Sequence, residues 1–319
     1  MSICTAHKKV SLLASSLLLV AFGLYAQSTV STPIVGFRKT SLPSGSVCIV
    51  PGFVKSPVYQ GSSLVSGQTL AVTGLNSGAL NSSNYTDRPN YPTHYVEIVA
   101  GTYEGYSYDI ASNTANQVVV TGLPSALNGQ TVSIAIRRHV TLDDLAQGNS
   151  GLLDYSDAVN IMNSDGTSTT RIYVSGSWVA EDFSSPAGHT IIYPGNGVVF
   201  SSGGATITTT GVVKSTKTAV PLYSAAVNYV GRQNPSGGSK VVNLGIGTSL
   251  LPYSDGFNVP SFDGSMATVG TYYSDGSAML DAGYSPLASN AADSVPADSG
   301  IQVSVGSDTV WIMQSPLNP

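Results

Sequence analysis

Leu152-Leu153-Asp154-Tyr155-Ser156-Asp157-Ala158-Val159-Asn160-Ile161 returns 98 residues further on as Leu250-Leu251-Pro252-Tyr253-Ser254-Asp255-Gly256-Phe257-Asn258-Val259. Chance similarity in a chain rich in Ser, Asp, Gly and Tyr does not readily produce this string, and its recurrence points to an internal duplication. At the same spacing Asp165-Gly166 falls on Asp263-Gly264. Farther on, Arg171 to Trp178 drifts onto Thr271 to Ala278, and Pro194 to Phe200 resembles Pro296 to Val303. A unit of roughly 50 residues near 152–204 thus recurs near 250–305.

The pattern inside and around these units is that of strands. Tyr106, Tyr108 and Ile110 alternate with Ser107 and Asp109, and Val132, Ile134 and Ile136 alternate with Ser133, Ala135 and Arg137. A period of two in β-branched and aromatic residues describes half-buried strands. Ser-Asp-Gly at 164–166, 254–256 and 274–276, Phe-Asp-Gly at 262–264 and Pro-Gly at 194–195 supply hairpin turns. The best helical candidate is Thr141 to Ala146, with Thr141 as N-cap and Asp143 and Asp144 in the first turn.

The expected architecture is all-β: a small barrel- or sandwich-like N-terminal region followed by a duplicated β-rich unit. The boundaries read as a signal peptide at 1–26, an N-terminal β domain at 27–140, a first copy at 141–204, a connector at 205–249 and a second copy at 250–319. The connector's opening, Ala205 to Val213, faintly echoes Thr32 to Lys39, and no repeat is assigned to it.

His7, Lys8 and Lys9 precede an apolar run from Val10 to Leu24, and Ala26 offers a small residue before Gln27. This is the layout of a cleaved export signal, so a secreted or extracytoplasmic location is expected. No other run approaches the roughly 20 apolar residues that a membrane-spanning helix needs. Only 10% of residues are charged, with 13 basic and 18 acidic side chains, which excludes a dense phosphate-contacting face and hence nucleic acid as a partner. Cys48 is the one cysteine beyond the signal and reads as a small buried hydrophobe.

The chain carries Thr32-Pro33-Ile34-Val35-Gly36-Phe37, Leu42-Pro43-Ser44-Gly45-Ser46, the stretch Tyr95 to Ile110, the stretch Asn113 to Val120, and two strand-turn-strand units that end in a Pro-x-x-x-Gly hairpin, here Val295 to Val303. In these it resembles a paralogous family of secreted, uncharacterised β-rich proteins of Verrucomicrobia. The resemblance implies export, a β-rich fold and a repeat, and it carries no activity.

Catalytic and metal signatures are missing from the sequence: there is no His-Glu-x-x-His, Cys-x-x-Cys, Walker loop or Gly-x-Ser-x-Gly. No catalytic residue, metal ligand or cofactor is assigned. His94 and Glu97 are three apart in a strand and so lie on opposite faces. His139, after Arg137 and Arg138, reads as part of a solvated strand end. Asn163-Ser164-Asp165-Gly166 resembles part of a calcium loop but lacks a bidentate Glu at the right distance, so a hairpin turn is the better reading.

Tyrosines crowd the region around 85–108, and Tyr95, Tyr103, Tyr106 and Tyr108 are the candidate binding residues, suited to a sugar or a surface protein. The leading expectation is a secreted, non-enzymatic structural or surface-associated protein that self-associates through strand edges. A carbohydrate- or protein-binding module of adhesin type is the alternative, and a hydrolase with a dispersed site the second alternative.

Overall fold

The structure is a computed structural model that describes residues 34–85, 88–146, 151–233 and 237–317. The expected signal peptide lies outside the described residues. The strands follow in chain order as β1 (Val35–Ser41), β2 (Gly45–Ile49), β3 (Pro57–Ser66), β4 (Thr69–Ala71), β5 (His94–Ile98), β6 (Ser107–Asn113), β7 (Gln117–Val120), β8 (Thr131–Arg138) and β9 (Val140–Thr141). Helix α1 (Leu142–Ala146) comes next. It is followed by β10 (Ala158–Met162), β11 (Ser168–Val174), β12 (Ser177–Val179), β13 (Ile191–Ile192), β14 (Val198–Ser202) and β15 (Thr206–Val212). The remainder is β16 (Thr218–Leu222), β17 (Asn228–Val230), β18 (Ser239–Lys240), β19 (Gly256–Pro260), β20 (Thr268–Ser274), β21 (Met279–Leu280), β22 (Ser294–Val295), β23 (Ile301–Ser304) and β24 (Thr309–Met313). The fold is all-β, as the alternation predicts.

β3 to β8 close into a six-stranded barrel in the order β3-β4-β7-β6-β5-β8. Val96, Ile98, Ile110, Val118, Val120, Ile134 and Ile136 fill it, all at most 1% exposed. Each such side chain contributes about 1.5–3 kcal/mol by leaving water.

The rest forms two halves of the same connectivity. One five-stranded sheet runs β12-β11-β10-β14-β2 and the other β21-β20-β19-β23-β17. Each half also has a two-stranded ribbon, β1–β15 and β16–β24, and a short pair, β9–β13 and β18–β22. Strand by strand, β1 and β2 correspond to β16 and β17, and β9 to β15 correspond to β18 to β24. The barrel sits between β2 and β9, where the second half has only residues 231–238.

Side chains repeat along with strands. The Asp157 carboxylate accepts the amides of Leu153 and Gly203, each at 2.8 Å. Asp255 accepts those of Leu251 and Gly306, at 2.9 and 2.8 Å. The Thr170 hydroxyl donates to Asn160 Oδ1 at 2.8 Å, and that of Thr271 to Asn258 Oδ1 at 2.8 Å. The aspartate of each Tyr-Ser-Asp turn is therefore a buried clip, tying its loop to the end of the neighbouring strand through charge-assisted bonds.

Strand pairing crosses the boundaries expected from sequence. β1 and β2, assigned to an N-terminal domain at 27–140, pair with β15 and β14 of the first half. The connector 205–249 divides into β15, which completes the first half, and β16 to β18, which begin the second. The echo between 32–39 and 205–213 joins two stretches that pair with each other. The drift of the second copy also has a cause. Asn160 faces Thr170 whereas Asn258 faces Thr271, because the second hairpin is longer. Tyr173 therefore corresponds to Ser274 and not to Tyr273.

The two halves clasp each other reciprocally. The turn before β14 bonds to β17 and its exit, with Gly197 N to Tyr229 O at 2.8 Å and Gly231 N to Gly195 O at 3.0 Å. The turn before β23 bonds to β2 and its exit, with Gly300 N to Cys48 O at 3.3 Å and Val50 N to Asp298 O at 2.9 Å. Cys48 lies at the centre, 1% exposed, and burial pushes its thiol up to about 12. A Cβ on Gly197 would fall 2.9 Å from its sulfur and one on Gly300 2.4 Å, so both positions require glycine's missing side chain.

The linker between the halves is pinned to the barrel by buried charge. Glu97 is held by Lys214 of the linker at 2.6 Å and by Arg137 of β8 at 2.9 Å, and it accepts the Thr216 hydroxyl. Burial raises the Glu97 carboxyl, but Lys214 and Arg137 outweigh it and hold the group below its ordinary value. Burial draws Lys214 below the usual amine range against the pull of Glu97. The expected solvated end at 137–139 is thus corrected. Arg137 is 7% and His139 1% exposed, because Glu97 neutralises Arg137 while Tyr95 and Tyr193 cover the His139 ring.

Candidate functional site

Of the four candidate tyrosines, Tyr103, Tyr106 and Tyr108 lie together and half-buried, while Tyr95 stands apart. On β5, Val96 and Ile98 point into the barrel, so Tyr95 and Glu97 point out of it. The outward side is covered: Tyr95 is 2% exposed with its ring 4.9 Å from that of His139, and it offers no surface to a ligand. Tyr103 and Tyr108 pack against the barrel core, and Tyr106 meets the edge of Tyr103 at 5.7 Å. Tyr108 also lines a cavity.

That cavity, of about 280 Å³, adjoins a second of about 240 Å³. They lie where the barrel meets both halves, and Tyr193, Asn196, Pro221 and Tyr223 line both. The turn after β13 supplies Tyr193 and Asn196, and β16 and its exit supply Pro221 and Tyr223. Gly195 places this turn: with φ at 81° it presses against Val220 and Met313, whose side chains would lie within 2.5 Å of a Cβ. Tyr229 and Tyr91 close the second cavity.

The electrostatics of this cleft are balanced. Arg88 lies over the Tyr91 ring at 5.2 Å, and the Tyr193 hydroxyl donates to Asp109 Oδ2 at 2.8 Å. Burial pushes the Tyr91, Tyr193 and Tyr229 hydroxyls above the ordinary phenol range, so they stay protonated and neutral.

His139 Nε2 approaches Asp109 Oδ1 at 3.1 Å, but at an angle that completes no hydrogen bond. Neither ring nitrogen meets a serine hydroxyl, so the pair lacks the nucleophile of a Ser-His-Asp arrangement. The suspected calcium turn is closed on itself, with Asp165 Oδ1 accepting the Thr167 amide and hydroxyl at 2.9 and 2.7 Å. Among the described residues no group of three or more His, Cys, Asp or Glu side chains is placed to hold a metal.

Two surface features escape a reading by periodicity. Tyr155 and Phe183 in the first half, and Tyr253 and Tyr284 in the second, are exposed by 64, 52, 60 and 49%. They are four of the eight described non-glycine residues with positive φ, at 60°, 58°, 57° and 60°. Their rings pair at 5.9 and 6.3 Å, and Tyr284 stacks on Tyr273 at 4.8 Å. An aromatic residue in the left-handed region costs about 1–2 kcal/mol. That cost is met at the same places in both halves, and the recurrence of Tyr-Ser-Asp in the sequence is its only trace. The second feature is β1, whose one described partner is β15. Its outward row carries Val35 and Phe37, 71 and 70% exposed, beside Ile34 at 55%.

No family model, no curated protein and no solved structure matches the chain.

Proposed function

We propose that this is an exported, non-enzymatic, surface-associated structural protein that packs against copies of itself, built by duplication of one β unit with a barrel inserted in the first copy. The matching strand order, the paired aspartate clips and the reciprocal clasp support the duplication. Export rests on the apolar leader, which the sequence supplies.

The observation that carries the self-packing role is the pair of matching aromatic patches, Tyr155 with Phe183 and Tyr253 with Tyr284. A soluble monomer gains nothing from exposing strained aromatic residues twice, and exposed apolar patches of this kind mark contact surfaces. One molecule with two equivalent patches can join two neighbours, so assembly can propagate. The surface also carries few charges to repel a neighbour. The open edge of β1 offers a further contact, since an unpaired strand with an apolar row templates another strand.

Light scattering and electron microscopy of residues 27–319 test this reading. Mass should rise with concentration, and it should return to that of a monomer when Tyr155→Ser is combined with Tyr253→Ser. Phe37→Lys alone should weaken assembly to a smaller extent. A compact monomer at every concentration rules the proposal out.

A further inference from the structure

We propose that the cleft shared by the barrel and the two halves is a binding site for a neutral oligosaccharide, a role beyond self-packing.

The halves contain a direct control for this cleft, because the second clasp has the same geometry and is full. Across it, Phe262 of the β19–β20 turn packs against the core cluster that includes Leu42 and Val47. Asp298 is clamped there by Arg38 at 2.5 Å and by the Thr40 hydroxyl. At the corresponding positions the cleft has Ser164 for Phe262, Gly195 for Asp298, Ala219 for Arg38 and Pro221 for Thr40. Ser164 and Pro221 line one cavity, and Ala219 and Pro221 the other. These smaller or uncharged residues leave the junction open, with the barrel as its outer wall.

What replaces the missing bulk is chemically uniform. Tyr193, Tyr223 and Tyr229 present aromatic surface with neutral hydroxyls, and Asn196 brings an amide with both donors and an acceptor. Amphipathic rings beside neutral hydrogen-bonding groups match a sugar, which has an apolar C–H face and a rim of hydroxyls. The residues that line the two cavities include one cation, Arg88, and one carboxylate, Asp109, so the net formal charge of the lining is zero and favours neither a phosphate nor a uronate. The two compartments, each short of a full drug-sized pocket of about 300–1,000 Å³, suit successive rings of one chain. The position at a junction of three modules is typical of ligand sites.

Isothermal titration of residues 27–319 with maltohexaose, cellohexaose and N-acetylchitohexaose tests the proposal, with tetragalacturonate as the charged comparison. One neutral oligosaccharide should bind saturably. Tyr223→Ala should weaken it by about tenfold or more, while Tyr223→Phe keeps it within about threefold, the pattern of a stacking contact. Ser164→Phe, which copies the residue its counterpart already accommodates, should abolish binding without lowering the melting temperature. Saturable binding to none of the neutral probes, a preference for tetragalacturonate, or affinity unchanged in both Ser164→Phe and Tyr223→Ala would each overturn it. Carrying out the titration in the Tyr155→Ser, Tyr253→Ser background keeps it independent of assembly, because those residues lie outside the cleft.

Discussion

The two clasps between the halves share a backbone and differ in what fills them. On one side a phenylalanine and a half-buried ion pair occupy the junction. On the other, serine, alanine and proline leave two cavities walled by tyrosines and by the barrel. Strand order and backbone hydrogen bonds between the halves are the same on both sides, so side chains and the adjoining barrel decide between packing and openness. Two halves of one connectivity thus separate what the shared strands impose from what is added to them.

The comparison breaks most completely if the linker between the halves loses its anchor. Glu97→Gln leaves Lys214 and Arg137 buried without their carboxylate, and should cost about 3–5 kcal/mol in urea unfolding. The next largest effect bears on the two glycines that face Cys48. Gly300→Ala, whose Cβ would meet the sulfur at 2.4 Å, should cost about 1–3 kcal/mol, and Gly197→Ala, at 2.9 Å, clearly less. Equal losses would show that the clasps are not ordered by their closeness to the thiol.

A smaller effect comes from exchanging the fillers. Phe262→Ser should lose about 1–2 kcal/mol of burial on the full side, and Ser164→Phe should gain up to about 1 kcal/mol on the open side. Opposite signs in thermal melts confirm the correspondence; a loss in both denies it.

The smallest effect is one of pH and concerns the barrel. Burial, then the neighbouring His139 and Arg138, lower His94 to about 4 from its ordinary 6.5. The neutral ring is the form the fold prefers, so its contribution is complete above pH 6.5 and is lost as pH falls toward 4. His94→Gln should flatten stability over that window, read by melting temperature against pH.

Much of this was legible in the sequence. Period-two alternation marked β6 and β8, and Asp-Gly at 165–166, 263–264 and 275–276 marked the hairpins β10–β11, β19–β20 and β20–β21. Asp255-Gly256 and Pro194-Gly195 instead lead into β19 and β14 from strands or loops that do not pair with them, so those two expected hairpins are corrected. Thr141 with Asp144 marked α1, where Asp144 Oδ2 accepts the Thr141 amide at 2.9 Å. The Tyr-Ser-Asp recurrence marked the correspondence of the two halves because each aspartate is buried and holds two amides. The kinship of β1 and β2 with β16 and β17 left no such trace. Those strands need only alternate, and Val47 stands opposite Asn228 in the comparison. Tyr95 misled because alternation tells which side of a strand a residue faces, and not whether another module covers that side. The cleft was invisible for a related reason: its walls come from three modules distant in sequence, and the smallness of Ser164 and Ala219 leaves no pattern.

The barrel's place within the first half has a kinetic consequence. β1 and β2 are synthesised early, yet β14 and β15, their partners, come only after the whole barrel. The barrel's own pairings are nearer in sequence, so its strands can zip up while β1 and β2 still wait. Once Pro57 lies against Arg137, the long excursion between β2 and β9 contracts to a short tether. The entropy lost in bringing β2 to β14 falls accordingly. The inserted module therefore acts as a temporal guide, folding first and handing the two ends of its host to each other.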